Sequence, residues 1–443
     1  MRFSRVHFSL LALGAFTLGA CRETALLPIS SEEGPHPALP APVKSVIPTT
    51  NVATARGWAS GAKPTSPAGA KVTAFAAGLE HPRWIYVLPN GDLLVAETNA
   101  PPKPEDHKGA KGWLMKQFMK KAGSAGPSAN RLTLLRDSDH DGKADVRTVF
   151  ASGLSSPLGM ALVGPNLYVA DTDAVVRIPY VDGDTVARGP GAKLVDLPAG
   201  PINHHWTKNI IASPDGTKLY AAIGSNSNAG ENGADAEVER AAIWEIDIKT
   251  GAHRVFASGL RNPCGLAWEP QTGTLWTSVN ERDELGSDLP PDYLTSVHDG
   301  DFYGFPYSYF GHHVDARAKP PRPDLVAKAL TPDYALGPHT ASLGLAFADK
   351  GTPVGYARGM YVGQHGSWNR RPLSGYKVIF VPFADGKPKG APVDVLTGFL
   401  SSAGEAYGRP VGVAVDKGGD LFVADDVGNT VWRVAAAPVS AAR

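Results

Sequence analysis

One phrase recurs along this 443-residue chain: an apolar residue, Gly-Leu or a close variant, a proline, a glycine-containing apolar run, then a turn and a short strand-like segment. It reads Phe75-Ala-Ala-Gly-Leu-Glu-His-Pro82 with 91–97, Phe150-Ala-Ser-Gly-Leu-Ser-Ser-Pro157 with 167–171, and Phe256-Ala-Ser-Gly-Leu-Arg-Asn-Pro263 with 274–278. A shortened copy, Leu396-Thr-Gly-Phe399 with 420–425, closes the series, and two degenerate copies surround 210–216 and 343–347. Six copies of roughly 60 residues match a propeller blade lengthened by inserted loops. The segments are β-branched or aromatic and end in turns such as Pro214-Asp-Gly216. One four-stranded unit cannot bury both of its faces, whereas a ring of them can. The expected fold is therefore all-β, a six-bladed β-propeller with inserted loops.

Composition agrees. Glycine (49) and proline (38) make up about a fifth of the chain, too much for a coiled coil or helical bundle. An apolar content of 43% supplies a sizeable core. Lys+Arg and Asp+Glu both number 43, which gives no electrostatic reason to expect nucleic acid as a partner. Residues 1–21 read as an export signal, with Arg2 and Arg5 before a short apolar run and Leu18-Gly-Ala-Cys21 at its end. Small residues before Cys21 resemble a bacterial lipobox, implying a diacylated cysteine, a membrane anchor, and a periplasm-facing, outer-membrane lipoprotein. Residues 22–70, rich in proline and alanine, read as an extended tether, and 71–436 as the propeller body. Cys264, alone in the mature chain, cannot form an internal disulfide and reads as a small buried hydrophobe.

No Gly-x-Gly-x-x-Gly opening a helix, no Gly-x-Ser-x-Gly elbow and no Cys-x-x-Cys-His haem site is present. Polar residues cluster instead at the strand entrances, where the loops of a ring converge: 203–209, 261–265, 280–284, 339–344, 364–370 and 407–409. Asp137-Ser-Asp-His-Asp-Gly142 carries carboxylates at Asp137, Asp139 and Asp141 and resembles a calcium loop. Thr148 rather than Glu stands at its twelfth position, so a polar hairpin turn competes with a second Ca²⁺ site. Residues 112–121 interrupt the first copy with a basic, helix-like insertion.

Four of these motifs, in order, resemble the soluble pyrroloquinoline-quinone (PQQ) sugar dehydrogenases, particularly the sorbosone-dehydrogenase-like branch. They are Asn203-His-His-Trp-Thr-Lys-Asn209, Gly259-Leu-Arg-Asn-Pro-Cys-Gly-Leu266, Asn280-Glu-Arg-Asp-Glu-Leu-Gly286 with Pro291-Asp-Tyr293, and Gly363-Gln-His-Gly-Ser-Trp-Asn369. The resemblance implies that His205 takes the proton from the anomeric hydroxyl of a sugar while a hydride passes to PQQ. Histidine suits that role because it is neutral and receptive near neutral pH. The same resemblance implies that Arg261, Asn262 and Arg409 hold PQQ, joined by Arg83, His339, Trp368 and Asn369. It also implies that the backbone carbonyls of Glu281 and Arg282 hold Ca²⁺, although these two residues stand where the glucose-oxidising branch has Gly-Pro. The expected partners are a small sugar and an external electron acceptor, quinone or cytochrome. Two other readings compete: a calcium-dependent sugar-lactone hydrolase, which requires carboxylates converging on one metal, and a non-catalytic binding propeller.

Overall fold

The computed structural model describes residues 23–43, 49–102, 109–349, 351–353, 355 and 357–437. The export signal and Cys21 lie outside them. The described chain forms the expected ring. Blade 1 runs Pro82–Val87, Leu93–Glu97, Arg131–Arg136, Val146–Ser152, and blade 2 runs Met160–Val163, Asn166–Ala170, Ala174–Pro179, Ala192–Asp196. Blade 3 is Lys208–Ala212, Lys218–Ile223, Ala242–Asp247, His253–Ser258. Blade 4 is Pro263–Glu269, Thr274–Val279, Pro291–Val297, Tyr334–Pro338, and blade 5 is Ser342–Ala348, Gly359–Gln364, Lys377–Ala384, Val393–Leu396. Blade 6 takes three strands from the C-terminal end, Pro410–Val415, Leu421–Asp425 and Thr430–Ala436. Its outer strand, Ala70–Ala77, comes from the other end of the body. That strand pairs antiparallel with Thr430–Ala436, from Ala70 opposite Ala436 to Ala77 opposite Thr430.

Burial explains why the second strands lack the polar alternation of a half-exposed sheet. Successive side chains point to opposite faces, and in a ring both faces meet a neighbouring blade. Leu93 and Val95 of blade 1 pack with Phe422, Ala424 and Val431 of blade 6. Leu94 and Ala96 pack with Leu167, Val169 and Ile178 of blade 2. The remaining interfaces repeat the arrangement, for example Trp276 and Leu294 against Met360, Val362 and Phe383 between blades 4 and 5.

The segment expected as a tether is bound to the ring wherever it is described. Glu23 accepts hydrogen bonds from the Ser287 amide (2.8 Å) and hydroxyl (2.7 Å). Glu33–Gly34 adds a strand outside Tyr334–Pro338 of blade 4, and Glu32 accepts from Arg370 at 3.0 Å. The Val43 amide donates to Leu285 and the Asn51 amide to Trp368, and Thr54–Ala55 pairs parallel with Glu405–Ala406. Its prolines deny it a ladder of its own, so its free amides and carbonyls are satisfied by the loops it crosses. It is a strap rather than a free tether.

The insertion is a helix, Gly109–Lys121, between the second and third strands of blade 1. The aspartate loop is a hairpin turn between Arg131–Arg136 and Val146–Ser152, at the end of blade 1 opposite the strand entrances.

Because closure depends on a strand from the opposite end of the body, Phe75→Ala should be costly. Phe75 is 5% exposed and meets Phe422 edge to face at 5.1 Å. A loss of about 3–5 kcal/mol is expected, read from the denaturant midpoint; a loss under about 1 kcal/mol would mean that closure does not depend on this contact.

Candidate active site

The loops that enter the first strands, and those that join second to third strands, open at one end of the ring. The His205 loop lies there, braced from beneath by two buried cations. Lys208 Nζ donates to the carbonyls of His205 and Trp206 at 3.2 Å each. Arg240 donates to the carbonyls of Gly224 (3.1 Å) and His205 (3.3 Å), and burial pulls its pKa down to about 10. His205 Nδ1 lies 2.7 Å from the Ser225 carbonyl and 3.1 Å from its hydroxyl, which itself donates to the Ser227 carbonyl. A carbonyl can only accept, so Nδ1 carries the hydrogen and the lone pair of the neutral ring belongs to Nε2.

Asn262 reaches the same place from blade 4. A Cβ at Gly224 would strike both Asn262 Oδ1 and the Cβ of His205, so glycine is what lets the two side chains approach. Arg261, also predicted to face the cofactor, is occupied by protein. It donates to Asn228 O (2.9 Å), Asn228 Oδ1 (3.0 Å) and Glu281 O (2.7 Å), with Asn280 O at 3.2 Å. These acceptors are neutral; burial lowers its pKa, and Asp283 and Glu281 act on it only at longer range. Arg261 therefore ties three loops together and leaves positive charge at the mouth. The Glu281 carbonyl, expected to hold Ca²⁺, is spent on this arginine, and the Glu281 carboxylate pairs with Arg282 Nε at 2.9 Å. Arg282 is buried on Asp315, Pro306 and Ser308. A carbonyl already accepting from a guanidinium is a poor cation ligand, so this donor set does not fit Ca²⁺ as it stands.

Arg409 fits an anionic group better. It is 1% exposed, its Nη2 donates to Tyr376 Oη at 3.2 Å, and its Nε and Nη1 are buried without a hydrogen-bond partner. Asn262 Oδ1 is orphaned in the same way. Buried polar groups left unpaired are costly, and carboxylates of a planar quinone would satisfy the two arginine donors. Arg83 is engaged in part: its Nη1 lies 2.6 Å from Asp426 Oδ2 and its guanidinium sits 5.7 Å from the centre of the Trp206 ring, while its Nε is also buried without a partner.

His339 Nδ1 faces Asp283 Oδ1 at 3.1 Å and its Nε2 faces the Gly286 carbonyl at 2.9 Å. Asn369 hydrogen-bonds the same Asp283. Trp368 is half-buried, and its carbonyl receives the strap's Asn51 amide.

Sequence reasoning overlooked an ionic hub in this layer. Asp426 accepts from Arg83, and His365 Nε2 lies 2.9 Å from its Oδ2. Burial opposes ionisation of Asp426, but His365, His81 and Arg83 outweigh it and hold its carboxyl far below the usual range. Burial pushes the His365 pKa down to about 4. His365 lay inside the quoted 363–369 motif, but nothing local to the end of a strand marks Asp426 as its partner. A cavity of about 390 Å³ adjoins the hub, walled by Arg56, His81, Asn99, Asp426 and Asn429. Cys264 is buried as expected, its pKa pushed up to about 12 by burial, with Sγ 3.4 Å from the Asn262 carbonyl. At the far end, ligand atoms of Asp137, Asp139 and Asp141 lie within 4.8 Å of one another.

Both ring nitrogens of His339 face acceptors, so its charged form is favoured; burial works against it, but Asp283 and the Gly286 carbonyl raise its pKa above the usual value. Its stabilisation is then complete below about pH 6.5, the unfolded value, and fades as pH rises through the raised folded value. His339→Gln should cost about 1.5–3 kcal/mol at pH 6 and clearly less at pH 9, measured by denaturation at both; an equal cost would contradict the charged state.

Comparison with known proteins places this geometry. The family described as a domain of unknown function (DUF7133) matches residues 66–301, and the TrAA12-like family matches residues 325–437. A PQQ-dependent pyranose dehydrogenase of Coprinopsis cinerea is 26% identical over 290 residues, covering 52% of this chain but 39% of that enzyme. The holo PQQ domain of a Coprinopsis cinerea pyranose dehydrogenase superposes with a TM-score of 0.65 at 22% identity, covering 84% of this chain and 97% of that domain. The Trichoderma reesei enzyme of carbohydrate-active family AA12, in its iodide structure, superposes with a TM-score of 0.69 at 19% identity, covering 87% and 99%. The chain thus belongs to the DUF7133 family, whose model spans more than half of it, and shares its propeller fold with these solved structures.

Proposed function

We propose that this protein is a PQQ-dependent dehydrogenase that oxidises an aldose or a related sugar aldehyde. The observation that carries the reading is the presence, at one end of the ring, of a histidine whose Nδ1–H is fixed on a carbonyl and of a buried arginine whose Nε and Nη1 lack partners. PQQ, when bound, supplies the acceptor for the hydride, and with it the two electrons, that leaves the sugar carbon. Arg409 Nε and Nη1 and the Asn262 amide would hold its carboxylates and carbonyls, with Arg261, whose direct hydrogen-bond acceptors are all neutral, next to Asn262 in the chain. His205, with Nδ1–H fixed on the Ser225 carbonyl, presents the Nε2 lone pair to the sugar hydroxyl and takes its proton. Lys208 and Arg240 keep the loop from shifting when that proton arrives. Ca²⁺ has no assigned step, since an ion at Glu281–Arg282 would have to displace Arg261 from the Glu281 carbonyl. The electron acceptor is an external quinone or cytochrome.

Lactone hydrolysis is the less favoured reading. Among the described residues the three carboxylates gathered closely enough for a metal are Asp137, Asp139 and Asp141, at the wrong end of the ring. We further infer attachment to the periplasmic face of a membrane through Cys21.

Reconstitution tests the reading: apo-protein with PQQ, with and without Ca²⁺, is assayed for dye reduction by a panel of aldoses and aldehydes. PQQ-dependent reduction supports it, and lactone hydrolysis without PQQ would replace it. His205→Ala should lower kcat by a factor of about 10² or more while PQQ affinity, measured by titration, stays within about threefold. Undiminished turnover in that variant removes His205 from the chemistry.

A further inference from the structure

The strap does more than cover the ring. Between residues 51 and 58 it touches each group that fixes Arg409. Trp58 Nε1 donates to Asp425 Oδ2 at 2.7 Å. Asp425 is fully buried; the same carboxylate accepts from Trp432 Nε1 (3.0 Å), the Gly428 amide (2.8 Å) and the Arg409 amide (2.8 Å). There is no slack around it, since a Cβ at Gly408 or Gly428 would collide with this carboxylate. The guanidinium end is held in parallel. Arg409 lies 5.0 Å over the Tyr376 ring and donates to its hydroxyl, which donates to the Ser367 carbonyl at 3.0 Å and is also reached by the Ala53 backbone of the strap. The Asn51 amide holds the Trp368 carbonyl and its side chain holds the Arg370 carbonyl at 2.9 Å. The Trp58 ring packs against Phe399, Tyr407 and Trp432 at 5.4–5.7 Å, so its N–H is aimed by aromatic packing.

We propose that residues 51–58 are a working part of the cofactor site and that Trp58 is a positioning residue, acting through Asp425 to hold Arg409 with Nε and Nη1 available to an anionic ligand. The inference rests on the PQQ reading above and adds to it an element that none of the strand-entrance motifs contains. Trp58 touches no reacting atom; its effect is on where a buried guanidinium sits. Without its N–H, Asp425 Oδ2 keeps Trp432 as its one remaining side-chain donor, and the carboxylate holds the Arg409 amide with one of its two side-chain anchors gone. An arginine that relaxes toward its unpaired side would lose the alignment that a planar, multiply charged ligand needs.

The test is a double-mutant cycle on the affinity of the apo-protein for PQQ, followed by titration, with Tm measured alongside. Trp58→Phe keeps the ring and removes the N–H; it should weaken PQQ binding at least tenfold while Tm moves by no more than a few degrees. In an Arg409→Ala background the same substitution should have no further effect, since the group it positions is gone. Tyr376→Phe should behave alike at the guanidinium end, and it carries the test if Trp58→Phe fails to fold. Unchanged affinity in W58F, a lowered Tm without weaker binding, or losses that simply add in the double variant would each overturn the proposal. Wild-type protein that fails to bind PQQ at all would instead sink the functional reading, and this inference with it.

Discussion

Ring closure is the constraint on which the rest of this molecule depends. Each blade has two apolar faces, and each interface is a wedge of side chains drawn from both neighbours, so no blade is complete by itself. Leu93 and Val95 of blade 1 are fully buried because blade 6 exists, and blade 6 is complete because Ala70–Ala77 zips onto Thr430–Ala436. That pairing joins residues more than 350 positions apart. It converts an open row of sheets, with two exposed apolar ends, into a body without sheet-face edges.

The same geometry makes the site. Loops from every blade arrive at one end of the axis, so groups remote in sequence are forced into one layer and their charges must be balanced there. The layer is balanced unevenly. Asp426 is matched by Arg83, and Asp283 by His339. Arg261 meets only neutral carbonyls, and Arg409 only a phenol, leaving its remaining donors unpaired. Burying a cation without a carboxylate is expensive, and a fold closed on six sides is able to hold such a group in place.

The strap belongs to both stories. It leads into the strand that closes the ring, and on its way there it crosses the rim of the site, binding Ser287, Trp368, Glu405–Ala406 and Asp425 in turn. Loops that carry a site are usually the least restrained parts of a scaffold. Here a second segment overlies them and satisfies their outward-facing backbone groups.

Much of this was readable from residue order alone. The blade count follows from a repeated phrase, because each copy has to supply the same turn and the same doubly buried strand. The places of His205, Arg261, Asn262 and Arg409 at one end of the ring were legible because each stands at a strand entrance, a position that repeats with the blade, while the roles expected of them came from the family resemblance. Other features were closed to sequence reasoning for one physical reason: they are contacts between segments with no common period. Nothing near Arg261 says that its donors go to Asn228 and Glu281 rather than to a ligand. Nothing near Asp426 names His365 and Arg83, and a proline-rich stretch gives no internal sign that it will be tied down by Ser287 at one end and Asp425 at the other. Local pattern determines which strands exist and where their mouths lie, because strand burial obeys a short period. Which charged group meets which, and which donors are left over, was decided only when the ring closed and brought distant loops within hydrogen-bond reach.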